Sequence, residues 1–282
     1  MSGTVRIALF AALLALVFGG AAMAGSALDP DPDAEEAHGA EDHTGGHEAA
    51  RAPAGLALAE DGLRVDVDRL RLAAGRPERL GFRIVGEAGR TVRDFDVEHD
   101  RRMHLIVVRR DLTGFQHLHP EIALDGTWST SLELTEPGSY RVFADFKSGG
   151  ASHTLGADVH VAGPFEPRDL PHPSDRAGTG DGYEVRLTED DGRLRFTVYL
   201  GDRRVDDIEP YLGARGHMVA LREGDLAFLH VHPESEATEG GDIRFRVEFP
   251  SAGRYRLFLP FKHDGRVRTV AFTEETGVEH GH

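Results

Sequence analysis

From Leu56 to Val161 apolar and polar positions alternate in short runs separated by turn residues. Leu63–Leu72, Arg79–Val85, His104–Arg109, Phe115–His119, Trp128–Leu134, Tyr140–Phe146 and Ala157–Val161 each keep the two-residue period of a strand with one buried face. Asp125-Gly126 and Pro137-Gly138 mark turns between them. No segment sustains the 3.6-residue period of a helix. After a stretch rich in Pro, Gly and Asp, the alternation resumes in Tyr183–Thr188, Leu194–Leu200, His217–Arg222, Phe228–His232, Ile243–Phe249, Tyr255–Phe261 and Val267–Phe272. Many short strands at this spacing predict a sandwich or barrel. The expectation is an all-β chain of two tandem Ig-like or cupredoxin-like antiparallel β-sandwiches. The first spans residues 56–163 and the second 182–273, with a linker over 164–181.

The second set of strands repeats the first. His104-Leu-Ile-Val-Val-Arg, followed by Phe115-Gln-His117-Leu-His119-Pro120-Glu121, aligns with His217-Met-Val-Ala-Leu-Arg and Phe228-Leu-His230-Val-His232-Pro233-Glu234 at a constant offset of 113. Further on, Gly138 to Lys147 aligns with Gly253 to Lys262 at an offset of 115, and these are the chain's two lysines. An internal duplication therefore accounts for the length, and each unit is large enough for a core of its own.

The ends read differently. Ile7–Gly20 is apolar, Arg6 precedes it, and Ala22-Met23-Ala24 supplies small residues at a cleavage site. Residues 1–24 thus read as a signal peptide for export, with an uncleaved membrane anchor as the alternative. Residues 25–55 form an acidic tail with His38, His43 and His47 and almost no large apolar side chain, expected to be disordered, as are residues 274–282. The protein is expected to be extracytoplasmic, secreted or at the cell surface.

Composition narrows the function classes. The formal net charge of −16 repels nucleic acid and anionic membrane surfaces and attracts cations. The absence of cysteine excludes disulfides, thiolate metal sites, iron–sulfur clusters and thiol catalysis. Histidine is abundant, with 16 residues, and its placement carries the chemistry.

Each copy holds His-x12-His-x-His-Pro-Glu. If Arg109 or Arg110 begins a hairpin turn, Ile106 lies opposite His117 and His104 opposite His119. His117 and His119 share a face, and His104 joins them across the ladder. Three imidazoles at such spacing can converge on one ion at about 2.0–2.1 Å. The candidate metal ligands are therefore His104, His117 and His119 in the first copy and His217, His230 and His232 in the second. Glu121, Glu234 and His99 are candidates for the surrounding shell, with solvent the alternative for both carboxylates. Ile106, Val108 and Phe115, and likewise Val219, Leu221 and Phe228, continue the histidine face as an apolar layer. Met103 and Met218 point the other way, toward a core. Nitrogen-only ligation favours copper, with zinc second. The alternative is a polar cluster of structural histidines.

The motifs Met103-His-Leu-Ile-Val-Val with His-Leu-His-Pro-Glu, and Tyr211-Leu-Gly-Ala-Arg-Gly-His-Met-Val-Ala-Leu with Leu-His-Val-His-Pro, resemble those of bacterial secreted or membrane-anchored proteins described as heavy-metal-binding or copper-associated. The resemblance covers Val92–Phe272. It implies a copper-associated β-sandwich of the broad cupredoxin-like or copper-resistance kind. Lacking cysteine, the chain departs from true cupredoxins, so a blue-copper centre is not implied. The expected function is a metal buffer, carrier or sensor rather than an enzyme, with one site per domain. The alternatives are an Ig-like surface interaction module with structural histidines and a metalloenzyme with a three-histidine site.

Overall fold

The computed structural model describes residues 53–190, 192–229, 231–233 and 241–277, with the side chain of His232 excepted. The expected signal peptide, the acidic tail up to residue 52, His230, Glu234 and the last five residues lie outside the described residues.

The first sandwich is built from β1 (Ala59–Glu60), β2 (Leu63–Val67), β3 (Arg71–Leu72), β4 (Pro77–Val85), β5 (His104–Arg109), β6 (Gln116–Leu118), β7 (Glu121–Ile122), β8 (Trp128–Glu133), β9 (Gly138–Ser148) and β10 (Ala151–Val161). One sheet has the order β1-β2-β4-β8-β7 and the other β3-β10-β9-β5-β6. The alternating run Leu63–Leu72 is thus two strands in different sheets, β2 and β3. Between the sheets Leu80, Phe82, Ile84, Leu105, Val107, Trp128, Val142 and Leu155 form the core, with Met103 among them as its alternation requires.

The second sandwich repeats the plan. Its strands are β11 (Arg176–Gly178), β12 (Tyr183–Asp190), β13 (Arg193–Leu200), β14 (Arg203–Arg204), β15 (Val219–Arg222), β16 (Phe228–Leu229), β17 (His232–Pro233), β18 (Ile243–Arg246), β19 (Gly253–His263) and β20 (Arg266–Thr276). They form sheets β11-β12-β13-β18-β17 and β16-β15-β19-β20 around a core that includes Val185, Phe196, Met218, Phe245, Leu257 and Phe261. The duplication read from the sequence is therefore two Ig-like sandwiches. Strand β11 falls inside the segment expected as linker, and β20 runs three residues past the expected end of the domain.

The outward faces of β5, β9, β15 and β19 are also apolar, and they meet. Ile106, Val108 and Phe143 from the first sandwich pack with Val219, Leu221, Phe228 and Phe258 from the second, all nearly inaccessible to solvent, in a third apolar cluster. Leu170 of the linker joins it. The packing follows the internal repeat. Phe115 stacks on Phe258 with ring centroids 4.0 Å apart, and its counterpart Phe228 contacts Phe143 at 5.5 Å.

A short strap tightens this interface. Ala54 pairs with Phe228 of β16, while Gly55 N–H donates to the Thr154 carbonyl and Gly156 N–H to the Ala57 carbonyl. The buried Arg141 guanidinium donates to the carbonyls of Gly55 and Leu56 at 2.6–2.9 Å. A Cβ on Gly156 would stand 2.1 Å from the Gly55 oxygen, so the strap lies where it does because that position is glycine. The expected disordered tail is corrected at its end: Ala54 and Gly55 are paired and packed.

The β5–β6 register is set by a turn with its own lock. Arg109 Nε donates to Asp111 Oδ1 at 2.9 Å and Nη2 to Oδ2 at 2.5 Å, with both side chains almost fully buried. Arg109 N–H also bonds the Thr113 carbonyl. The second copy repeats the device with Arg222 and Asp225. The result is Ile106 opposite His117 and Leu105 opposite Leu118, the register that the hairpin spacing predicts. Replacing Asp111 with Ala strands the buried Arg109 charge, which Glu136 at 2.7 Å satisfies only in part. A loss of about 3 kcal/mol, the low end for a broken buried pair, is expected in urea unfolding. A change under 1 kcal/mol would show that the pair does not hold the turn.

Candidate metal centre

The histidines stand at one end of the apolar interface. His104 begins β5 and is 3% exposed; His217 precedes β15 and is 9% exposed. Because the two sheets face each other, the repeat brings these equivalent residues together. Their rings stack at 5.3 Å with an interplanar angle of 7°. His117, on β6, lies 5.3 Å from His104 and 5.0 Å from His217 between ring centroids. One nitrogen from each of His104, His117 and His217 lies within 4.8 Å of the other two. Three nitrogens bound tetrahedrally at about 2.0–2.1 Å stand roughly 3.3 Å apart, so the trio needs to close by at most about 1.5 Å to hold an ion.

His119 and His99 complete the group. His119 is 5.0 Å from His117 and 5.3 Å from His104, and His99 packs edge-on against His217 at 5.2 Å. The expectation of one site per domain is corrected in one respect. His217 of the second copy lies with His104 and His117 of the first, so the cluster belongs to both sandwiches. His230 and the His232 side chain lie outside the described residues, as does Glu234. Glu121 is exposed on β7, in the opposite sheet, because the chain crosses between sheets at the buried Pro120. It faces solvent and does not support an imidazole. His153, His160 and His263 lie elsewhere: His153 against Phe146, His160 on Ser139, and His263 on Tyr183.

Hydrogen bonding assigns the tautomers. His104 Nε2 lies 3.2 Å from the Glu98 carbonyl, which can only accept, so Nε2 carries the proton. His104 Nδ1 then presents its lone pair and accepts from His117 Nε2 at 3.1 Å. That leaves His117 Nδ1 as a lone pair, buried and without a partner among the described residues; His119 Nε2 is likewise buried and has no partner among them. Each such atom costs about 1–3 kcal/mol when it is taken from water and left unsatisfied. A carbonyl holding one ring nitrogen while the other offers a lone pair is the usual support of a metal-bound imidazole.

Charge acts in the same sense. Burial, reinforced by the neighbouring His217, His104 and His119, holds the His117 imidazole well below the usual histidine range. Burial, with His104 and Arg101 nearby, pushes His119 down to about 4. His104 is lowered by burial, an effect opposed by Asp145. His104, His117 and His119 are therefore neutral at pH 7, the state in which imidazole binds metal.

Asp145 was not among the sequence candidates. It is 7% exposed, stands directly across the ladder from His104, and accepts from Thr154 Oγ1 at 2.7 Å. Its signal in the sequence is a lone carboxylate in the run Val142-Phe-Ala-Asp-Phe, where the second copy has Pro260. Tyr211, 6.4 Å from His119 between centroids, also borders the cluster.

A family model described as a domain of unknown function, DUF8832, matches residues 58–163 and again residues 178–277. No protein of curated function matches the chain. Among solved structures the chain is similar to a Salmonella alpha-2-macroglobulin, with 16% identity over 79% of this chain and 15% of that one, at a TM-score of 0.28. It is also similar to the Escherichia coli adhesin FdeC, with 12% identity over 77% and 65% of the two chains and a TM-score of 0.27. A titin Ig tandem gives 15% identity, 76% and 95% coverage and a TM-score of 0.21.

The depressed histidines predict how stability changes with pH. A group whose folded pKa lies below its unfolded value of 6.5 binds more protons unfolded, so stability is lost as pH falls. For His119 the loss runs from about 6.5 down to about 4. Denaturant unfolding of the metal-free protein across this window should show a decline that His119→Gln makes shallower. A profile unchanged by that substitution would place the titration elsewhere.

Proposed function

Since the chain belongs to the DUF8832 family, and does so twice over, we propose that its two sandwiches form one Ig-like binding module whose ligand is a transition-metal ion held between the copies. The observation that carries this reading is the trio of buried His104 and His217 with half-buried His117, beside which the buried nitrogens His117 Nδ1 and His119 Nε2 have no partner among the described residues. Nitrogen donors without thiolate suit Cu(II) first and Zn(II) second. His104, His117 and His217 would hold the ion, with His119 and His99 beside them and Asp145 supplying negative charge close by. A nitrogen donor set in a strongly acidic protein fits an extracytoplasmic metal buffer, carrier or sensor. Among the described residues no helix is long and apolar enough to cross a membrane.

A second reading has its own support. The apolar cluster joins the sandwiches without an ion, and His104 and His117 are already hydrogen-bonded. On that reading the protein is an Ig-like interaction module and the histidines are structural.

Thermal unfolding of the full chain with Cu(II) or Zn(II) separates the two. An ion bound only by the folded state stabilises it by about 2.7 kcal/mol at a hundredfold excess over Kd. The metal reading predicts one tight ion per chain and a melting shift lost in His117→Ala and equally in His217→Ala, although these residues belong to different copies. A shift that survives both substitutions, or no shift with either metal, leaves the interaction module.

A further inference from the structure

The duplication provides an internal comparison for a second feature, remote from the histidines. Arg141 and Arg256 are equivalent residues on β9 and β19, both on the face turned toward the interface. Arg141 faces Asp158 across the β9–β10 ladder and pairs with it at 3.2 Å, while the strap carbonyls take its other protons. At the position equivalent to Asp158 the second copy has Thr273, directly across from Arg256. The carboxylate is replaced by a hydroxyl, and Arg256 Nη1 donates to Thr273 Oγ1 at 2.8 Å. Among the described residues no carboxylate pairs with Arg256. Burial lowers the pKa of both guanidiniums, and only for Arg141 does a carboxylate offset it.

The corresponding segment here is held by another residue: Arg254 Nη2 donates to the Leu170 and Pro171 carbonyls, each at 3.0 Å, and Arg256 is left to Thr273. The segment before β11 contains Pro171 and Pro173, which have no N–H to donate, and Ala271 stands where Gly156 admits the strap. Pro171 and Ser174 stand off from β20 and leave a slot of about 440 Å³, which Arg256 and Thr273 line. His172 and Arg176 border it as well, Arg176 with Glu184 at 3.8 Å, and none of the residues lining the slot is a carboxylate.

We propose that this slot binds a small carboxylate ligand, whose carboxyl group takes the place that Asp158 holds in the first copy. The fork of Arg256 matches a carboxylate in two parallel hydrogen bonds. Thr273 Oγ1, which accepts from Arg256, keeps its own proton to donate to the ligand. His172, Ser174 and Arg176 on the rim accommodate a second polar or anionic group, so a dicarboxylate fits better than acetate.

The test is calorimetric titration of the full chain, metal-free and at constant ionic strength, with succinate, acetate and inorganic phosphate. Succinate should bind one to one and more tightly than acetate. Arg256→Met should weaken succinate binding at least tenfold. Thr273→Asp rebuilds the pair of the first copy; it should also abolish binding while raising the melting temperature of the ligand-free protein, a readout that a misfolded variant cannot give. Absence of succinate binding, or binding undiminished in both variants, overturns the proposal. Phosphate bound in preference to succinate overturns the carboxylate assignment.

Discussion

The burial of two outward sheet faces against each other is the constraint on which the rest of the molecule depends. A sandwich normally hides one face of each sheet and leaves the other to water. Here β5 and β9, and likewise β15 and β19, are apolar on both faces, so neither copy can present its second face to solvent without loss. Fully burying one Val, Leu, Ile or Phe side chain contributes about 1.5–3 kcal/mol as an upper estimate. With Ile106, Val108, Phe143, Val219, Leu221, Phe228 and Phe258 all enclosed, the interface is a core in its own right rather than a loose contact between domains. Because the copies meet through equivalent faces, equivalent residues meet too. That places His217 on His104, and it makes the histidine cluster a property of the duplicated chain.

Duplication made the plan symmetric, and later differences made the chemistry asymmetric. The carboxylate opposite His104 is Asp145, whereas Pro260 stands opposite His217. The strap is admitted by Gly156, where the second copy has Ala271. The partner of Arg141 is Asp158, and that of Arg256 is Thr273. Each difference removes a polar partner or a close backbone approach from the second copy. Among the described residues, the second copy is left with Arg256, which no carboxylate pairs, where the first copy pairs Arg141 with Asp158.

Much of this was legible in the sequence. The strand alternation and the 113-residue offset lead directly to two sandwiches, because a two-residue period and a long repeat are local signals that survive folding. The β5–β6 register was legible because the hairpin is short and its loop bounds the pairing. What the sequence left open was the partner of the histidine face. Alternation says that Ile106 and Val219 are buried, but not that they are buried against each other, so two separate triangles were the natural expectation. Asp145 escaped for a related reason: one carboxylate in a strand is unremarkable until its ladder neighbour is a buried imidazole. The run Leu63–Leu72 misled because the chain passes from one sheet to the other between Val67 and Arg71 without breaking its alternation.

The unsatisfied nitrogens bear on how the interface and the histidines relate. An apolar interface alone would be more stable with apolar residues at its end than with His117 Nδ1 and His119 Nε2 buried without partners. Mutual repulsion among protonated imidazoles lowers stability further in acid. Neither cost is offset among the described residues, and the Arg109–Asp111 lock holds the hairpin in the register that maintains both. Buried nitrogens left without partners, and imidazoles lowered by burial, are features that the cluster shares with functional centres. Since its donors come from both copies, whatever satisfies it also acts across the seam, and it adds to the apolar cluster exactly where that cluster ends.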